Sequence, residues 1–130
     1  MTYNLMIKLK PITVVELPPF LKMVQEIWTD DERAELVDYV ARNPESGDII
    51  PGTGGVRKLR WSRAGIGKRG GARVVYFFHR ADVPIYLLLA YAKAVSTELG
   101  PKQKQQVRKL TMSLKEQHGV KGDWYGNEFW

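Results

Sequence analysis

Charged and apolar residues alternate through VRKLRWS, setting Lys58 and Arg60 on one side of an extended chain and Leu59 and Trp61 on the other. Two runs richer in apolar residues follow, ARVVYFFH and PIYLLLAYAK, and both predict more central strands. Only RAGIGKRGG and ADV link the three, so they predict an antiparallel meander. The same alternation puts Arg73, Val75 and Phe77 on one side of the second run, with Arg73 across from Lys58 and Arg60 on an open sheet face.

The first half of the chain is mostly helical in pattern. Residues 12–16 (ITVVE) are β-branched and short, which predicts a strand. Pro18-Pro19 suits a helix start, and Phe20, Val24, Ile27 and Trp28 follow at helical spacing. Thr29-Asp30-Asp31-Glu32 is a capping box for a second helix to about Arg42, with Leu36, Val37, Val40 and Ala41 inward. Its acids Asp31, Glu32, Glu35 and Asp38 are expected to form a cap and a solvated face. Asn43-Pro44 stops it, and PESGDIIPGTGG is expected to be a loop. A last helix spans 101–118, from Pro101 to a C-cap at Gly119, with Val107, Leu110 and Leu114 apolar. Its lysines and glutamines predict a solvated amphipathic face. The order β-α-α-β-β-β-α predicts a small α+β fold, an antiparallel or mixed sheet with helices packed on it. Residues 1–118 are expected to form one domain, followed by an aromatic tail over 119–130 with Trp124, Tyr125, Phe129 and Trp130.

Length and composition agree with one domain: 130 residues, 44% apolar. There is no Cys, which excludes disulfides, Cys-ligated zinc and thiol nucleophiles. The longest apolar run, Val83–Ala92, is half the length of a membrane span and contains Pro84. MTYNLMIKLKP holds no apolar stretch of signal-peptide length. No membrane association is expected, and a cytoplasmic location is.

Charge changes the picture. The net charge is +6, but residues 1–50 carry five Lys/Arg against nine Asp/Glu, and residues 51–130 carry fifteen against five. No acid lies between Asp48 and Asp82, where Arg57, Lys58, Arg60, Arg63, Lys68, Arg69, Arg73 and Arg80 all occur. Such a single-sign window attracts a polyanion, most often nucleic acid; an acidic protein or a membrane surface is the alternative. Gly65–Gly70 matches G-x-G-x-x-G but precedes a strand, so it is not a dinucleotide fingerprint. Arg69 stands where a P-loop has Ser or Thr. The loop is instead a glycine-rich hairpin whose Lys68 and Arg69 can approach a phosphate. The window lacks carboxylates for a hard metal. His79 and His118, the only histidines, are expected to be structural or exposed.

Two motifs then carry a resemblance: Gly52-Thr53-Gly54-Gly55-Val56-Arg57-Lys58-Leu59-Arg60 and Gly67-Lys68-Arg69-Gly70-Gly71-Ala72-Arg73-Val74-Val75-Tyr76. The chain over about 12–118 resembles the RelE/HigB-type toxins of bacterial type II toxin–antitoxin systems, and is most similar to the HigB-like branch. The resemblance implies a RelE-like fold and an mRNA endonuclease (mRNA interferase) that acts on the ribosome and inhibits translation. It implies a cognate helix-turn-helix antitoxin in a toxin–antitoxin hetero-oligomer. It places the catalytic set on Lys58, Arg60, Arg73 and Lys93. Ala94 stands where RelE has a further Arg, and Leu99 or Gly100 near a family Tyr; Lys93, Tyr91, His79 and the loop cations are the candidates for those roles. Such cleavage uses the ribose 2′-OH and needs neither metal nor cofactor. Lys58 is the candidate base, since cationic neighbours favour its neutral form, and Arg73 the candidate phosphate clamp. Arg57, Lys68 and Arg69 are expected to hold RNA backbone. The rival class is a non-catalytic nucleic-acid-binding or regulatory module derived from such a toxin.

Overall fold

The computed structural model describes residues 11–51, 53–61, 71–92 and 100–119. Its elements run β1 (Val14–Glu16), α1 (Pro18–Val24), α2 (Asp30–Arg42), β2 (Asp48–Ile49), β3 (Val56–Trp61), β4 (Ala72–Phe77), β5 (Ile85–Ala92) and α3 (Pro101–Gln117). They form an α+β fold with a five-stranded mixed sheet in the order β1-β5-β4-β3-β2. β3, β4 and β5 are the expected antiparallel meander. β1 closes one edge by pairing parallel with β5. β2 lies within the segment expected to be loop and forms the other edge, antiparallel to β3.

Helices cover both faces. α1 and α2 pack Phe20, Val24, Leu36 and Val40 against Leu59, Val74, Tyr76, Ile85 and Leu87. On the opposite face α3 packs Val107 and Leu114 against Val56, Val75, Phe77 and Leu88. The sheet face expected to be open is therefore partly covered, because α3 needs somewhere to bury its apolar stripe. β5 lies between β1 and β4 and is buried along its whole length, as its near-continuous apolar run requires.

Local signals set the boundaries. The Thr29 side chain accepts from Glu32 N at 3.2 Å, and Thr29 N donates to Glu32 Oε1 at 2.9 Å. This capping box is worth about 1 kcal/mol to α2. Gln103 Oε1 likewise accepts from Gly100 N at 2.9 Å where α3 begins. One irregularity matters for the site. Val75 pairs with Leu89 but Tyr76 pairs with Leu87, a bulge that leaves Leu88 extra. Leu88 and Leu89 both join the α3 side. Strict alternation would have kept Tyr91 in phase with Ile85 and Leu87; the bulge moves it to the Arg73 face. No helix among the described residues is long and apolar enough to cross a membrane.

Candidate nucleic-acid interface

The site is built on the register of three strands. Arg60 pairs with Arg73, and Arg73 with Tyr91, so the three residues form one row across β3, β4 and β5. One step along, Lys58 pairs with Val75, and Val75 with Leu89. Lys58, Arg60 and Arg73 thus share the sheet face that the alternation predicted. Directly opposed side chains in such a ladder have Cβ atoms about 5 Å apart, and like charges there repel. Arg60 is exposed and Arg73 half-buried. Neither takes part in the ion pairs Arg33–Glu16, Arg42–Asp38 and Arg80–Asp82. The Arg73 Nη1 atom is buried and has no hydrogen-bond partner. A buried donor on a permanently charged guanidinium is costly until an acceptor meets it, and an anionic oxygen is the acceptor best matched to it.

β2 adds a residue that the sequence pattern left out. Asp48 stands directly across from Lys58, so the row holding the candidate base includes a carboxylate residue at its edge. The two-residue strand carries no periodicity, which is why its pairing had no signal in the sequence. Tyr91 is 6% exposed, so its ring is not available to stack on a base. It serves as a buried wall beside Arg73.

Arg57 belongs elsewhere. It shares parity with Leu59 and Trp61 and sits on the α1–α2 side, opposite Tyr76. Its Nη1 donates to Gly47 O at 2.8 Å and to Glu45 O at 3.2 Å. Tyr76 Oη donates to Pro44 O at 2.7 Å and accepts from Gly47 N at 2.9 Å. Together they clamp the 44–47 turn that feeds β2. Burial pushes the Tyr76 phenol above its ordinary value, partly offset by Gly47, Ser46 and the Arg57 charge. Arg57 is thus on the face away from Lys58 and Arg73, with a structural task in the turn. The parity rule carried that signal; the positive charge of the window obscured it.

The first glycine motif is also a structural fitting over its described residues. Thr53 is buried; its hydroxyl donates to Ile50 O at 2.6 Å and accepts from Val56 N at 3.1 Å. Gly54 (φ 75°) lies against Lys115 of α3, and Gly55 (φ 142°) against Phe78 O. Phe78 N donates to Gly55 O at 2.9 Å. The β2–β3 turn therefore docks on β4 and on the end of α3.

Lys68, Arg69 and Lys93 lie outside the described residues, as do Arg63, the rest of 62–70 and residues 120–130. His79 is exposed. His118 Nε2 lies 2.8 Å from Tyr86 Oη and ties the end of α3 to β5. Asp31, Glu35 and Asp38 are exposed on α2, and Asp38 pairs with Arg42. Among the described residues no group of three or more His, Asp or Glu is placed to hold a metal ion. No family model matches the chain.

Proposed function

We propose that this protein is a RelE/HigB-type toxin of the HigB-like branch, an endoribonuclease that cuts mRNA on the ribosome. The observation that carries the reading is the Arg60–Arg73 pair with the buried Arg73 Nη1 unsatisfied. Two arginines paired across adjacent strands, with no ion-pair partner among the described residues, suit a phosphate whose charge rises during reaction. The two sequence motifs and the small α+β fold with helices on both sheet faces also support it.

In this reading the ribose 2′ oxygen attacks the adjacent phosphorus and gives its proton to Lys58. The P–O5′ bond breaks as the P–O2′ bond forms, leaving a 2′,3′-cyclic phosphate and a 5′ hydroxyl. Arg73, held by the central strand β4, binds the non-bridging oxygens bidentately, and Arg60 adds charge beside it. Lys93 is the candidate acid that protonates the departing O5′. The nucleophile comes from the substrate, so no metal or cofactor is required. With no His–carboxylate pair at hand, substrate orientation is left to the ribosome, an effect worth several kcal/mol. A cognate helix-turn-helix antitoxin neutralises the protein in a hetero-oligomer by covering the basic half with an acidic segment.

Arg73 is the residue to test. Arg73→Ala should fold as well as the parent, because it removes a repulsion and an unsatisfied donor. It should also abolish growth arrest and slow ribosome-dependent mRNA cleavage by about 100-fold or more. Arg73→Lys should rescue poorly, since it keeps the charge and loses the fork. Growth curves, mapped cleavage ends and circular dichroism read these outcomes; a folded, fully toxic Arg73→Ala sinks the assignment. Co-expression with an adjacent antitoxin gene should restore growth and co-purify a complex. High-level expression of the chain alone without harm would count against the reading.

A further inference from the structure

α3 lies on the same side of the sheet as Lys58, Arg60 and Arg73, and its own charge pattern is unusual for a helix end. Lys102 and Lys104 sit at its start, Arg108 and Lys109 in its middle, and Glu116 is its one acid. No acidic residue occupies its first turn, although the positive end of the helix dipole favours acids there and disfavours lysines. α2 of the same protein obeys the rule, with Asp30, Asp31 and Glu32 in its first turn and Arg42 in its last. Lys102 and Lys104 therefore work against helix stability, whereas Lys115 in the last turn does not. Its inward side is fully used: Val107, Thr111, Leu114 and Lys115 are buried. Lys102, Gln105, Gln106, Lys109, Met112 and Ser113 are exposed.

We infer that the outward face of α3 is a second contact surface, one that grips the phosphate backbone of RNA alongside the Arg60–Arg73 site. Lysine, glutamine and serine are the side chains that meet phosphate and sugar oxygens without reading sequence. A protein partner would need aromatic or other apolar anchors in a buried centre. This face offers only Met112, at 51% exposure. Lys102 and Lys109 are seven residues apart, about 10 Å along the axis, so they meet different phosphates. The surface therefore follows a run of backbone. Neither Lys102 nor Lys109 takes part in the ion pairs Arg33–Glu16, Arg42–Asp38 and Arg80–Asp82, and Lys104 lies half-buried towards Thr111 and Lys115, off this face. The inference rests on the reading of this protein as one that acts on RNA, and its test needs no cleavage.

The test measures binding of the full chain to a fluorescent 2′-O-methyl 12-mer oligoribonucleotide, which lacks the nucleophile, by anisotropy at several salt concentrations. The double variant Lys102→Gln, Lys109→Gln should bind about fivefold more weakly at low salt, and its log K against log salt should be shallower by about 1.4, from two lost single-strand contacts. Lys22→Gln, an exposed cation on the acidic half, should change neither. Glutamine is a good helix former, so circular dichroism should show α3 intact. A double variant with the parent's slope and affinity overturns the inference, including the case where it instead loses binding to polyglutamate. Toxicity of Arg73→Ala would overturn the proposed reaction and leave this result standing on its own.

Discussion

At the residue scale, the structure separates cations that fasten the fold from cations held ready for an anion. Arg57 and Arg73 are both half-buried β-strand arginines. Each leaves one buried nitrogen unpartnered, Arg57 its Nε and Arg73 its Nη1; what distinguishes Arg57 is that its Nη1 donates to two loop carbonyls. Tyr76 works beside Arg57. Tyr76→Phe removes one hydroxyl that serves both Pro44 O and Gly47 N, and should cost about 1–3 kcal/mol in urea unfolding. The phenol's raised pKa means that the folded state favours the protonated form. That contribution is complete below the ordinary tyrosine value of 10.0 and is lost as pH rises from there through the higher folded value. The stability gap between parent and Tyr76→Phe should hold steady from pH 6 to 9 and narrow above pH 10. A gap that narrows on acidification instead would refute this account of Tyr76.

At the element scale, long periodic segments were legible and short or tertiary features were not. The α2 cap, the inward residues of α2 and α3, and the β3–β4–β5 meander follow from spacing and turn chemistry. The Lys58, Arg60 and Arg73 face followed from period two alone. β2 escaped because two residues carry no period, and with it went the approach of Asp48 to Lys58. The parallel β1–β5 pairing and the Leu88 bulge depend on packing between distant segments, so no local pattern announces them. The bulge decides where Tyr91 points, which placed that part of the site beyond the reach of the sequence. The turn glycines give this scale its prediction. Gly54→Ala strains a positive φ and displaces only a lysine tip, at about 1 kcal/mol. Gly55→Ala also drives a Cβ to 2.8 Å from the Phe78 carbonyl oxygen, and should cost about 3 kcal/mol. Thermal unfolding should rank Gly55→Ala as the more damaging; the reverse order would mean that the turn is not docked on β4.

At the scale of the whole molecule, the charge asymmetry becomes a difference between the two sides of the sheet. The acids of α2 stand on one side, with Arg57, and Lys58, Arg60, Arg73 and the outward lysines of α3 belong to the other, with Asp48 across from Lys58. Mutual repulsion among those cations is a stability cost that a polyanion relieves, which is why the reading turns on RNA. The most direct measurement incubates the purified protein with an mRNA, free and in actively translating ribosomes, and maps the 5′ ends that appear. The account predicts cuts in phase with codons on translating ribosomes, absent with Arg73→Ala, and little cutting of free RNA. Rapid cutting of the naked RNA, or binding without any cutting on ribosomes, would contradict it.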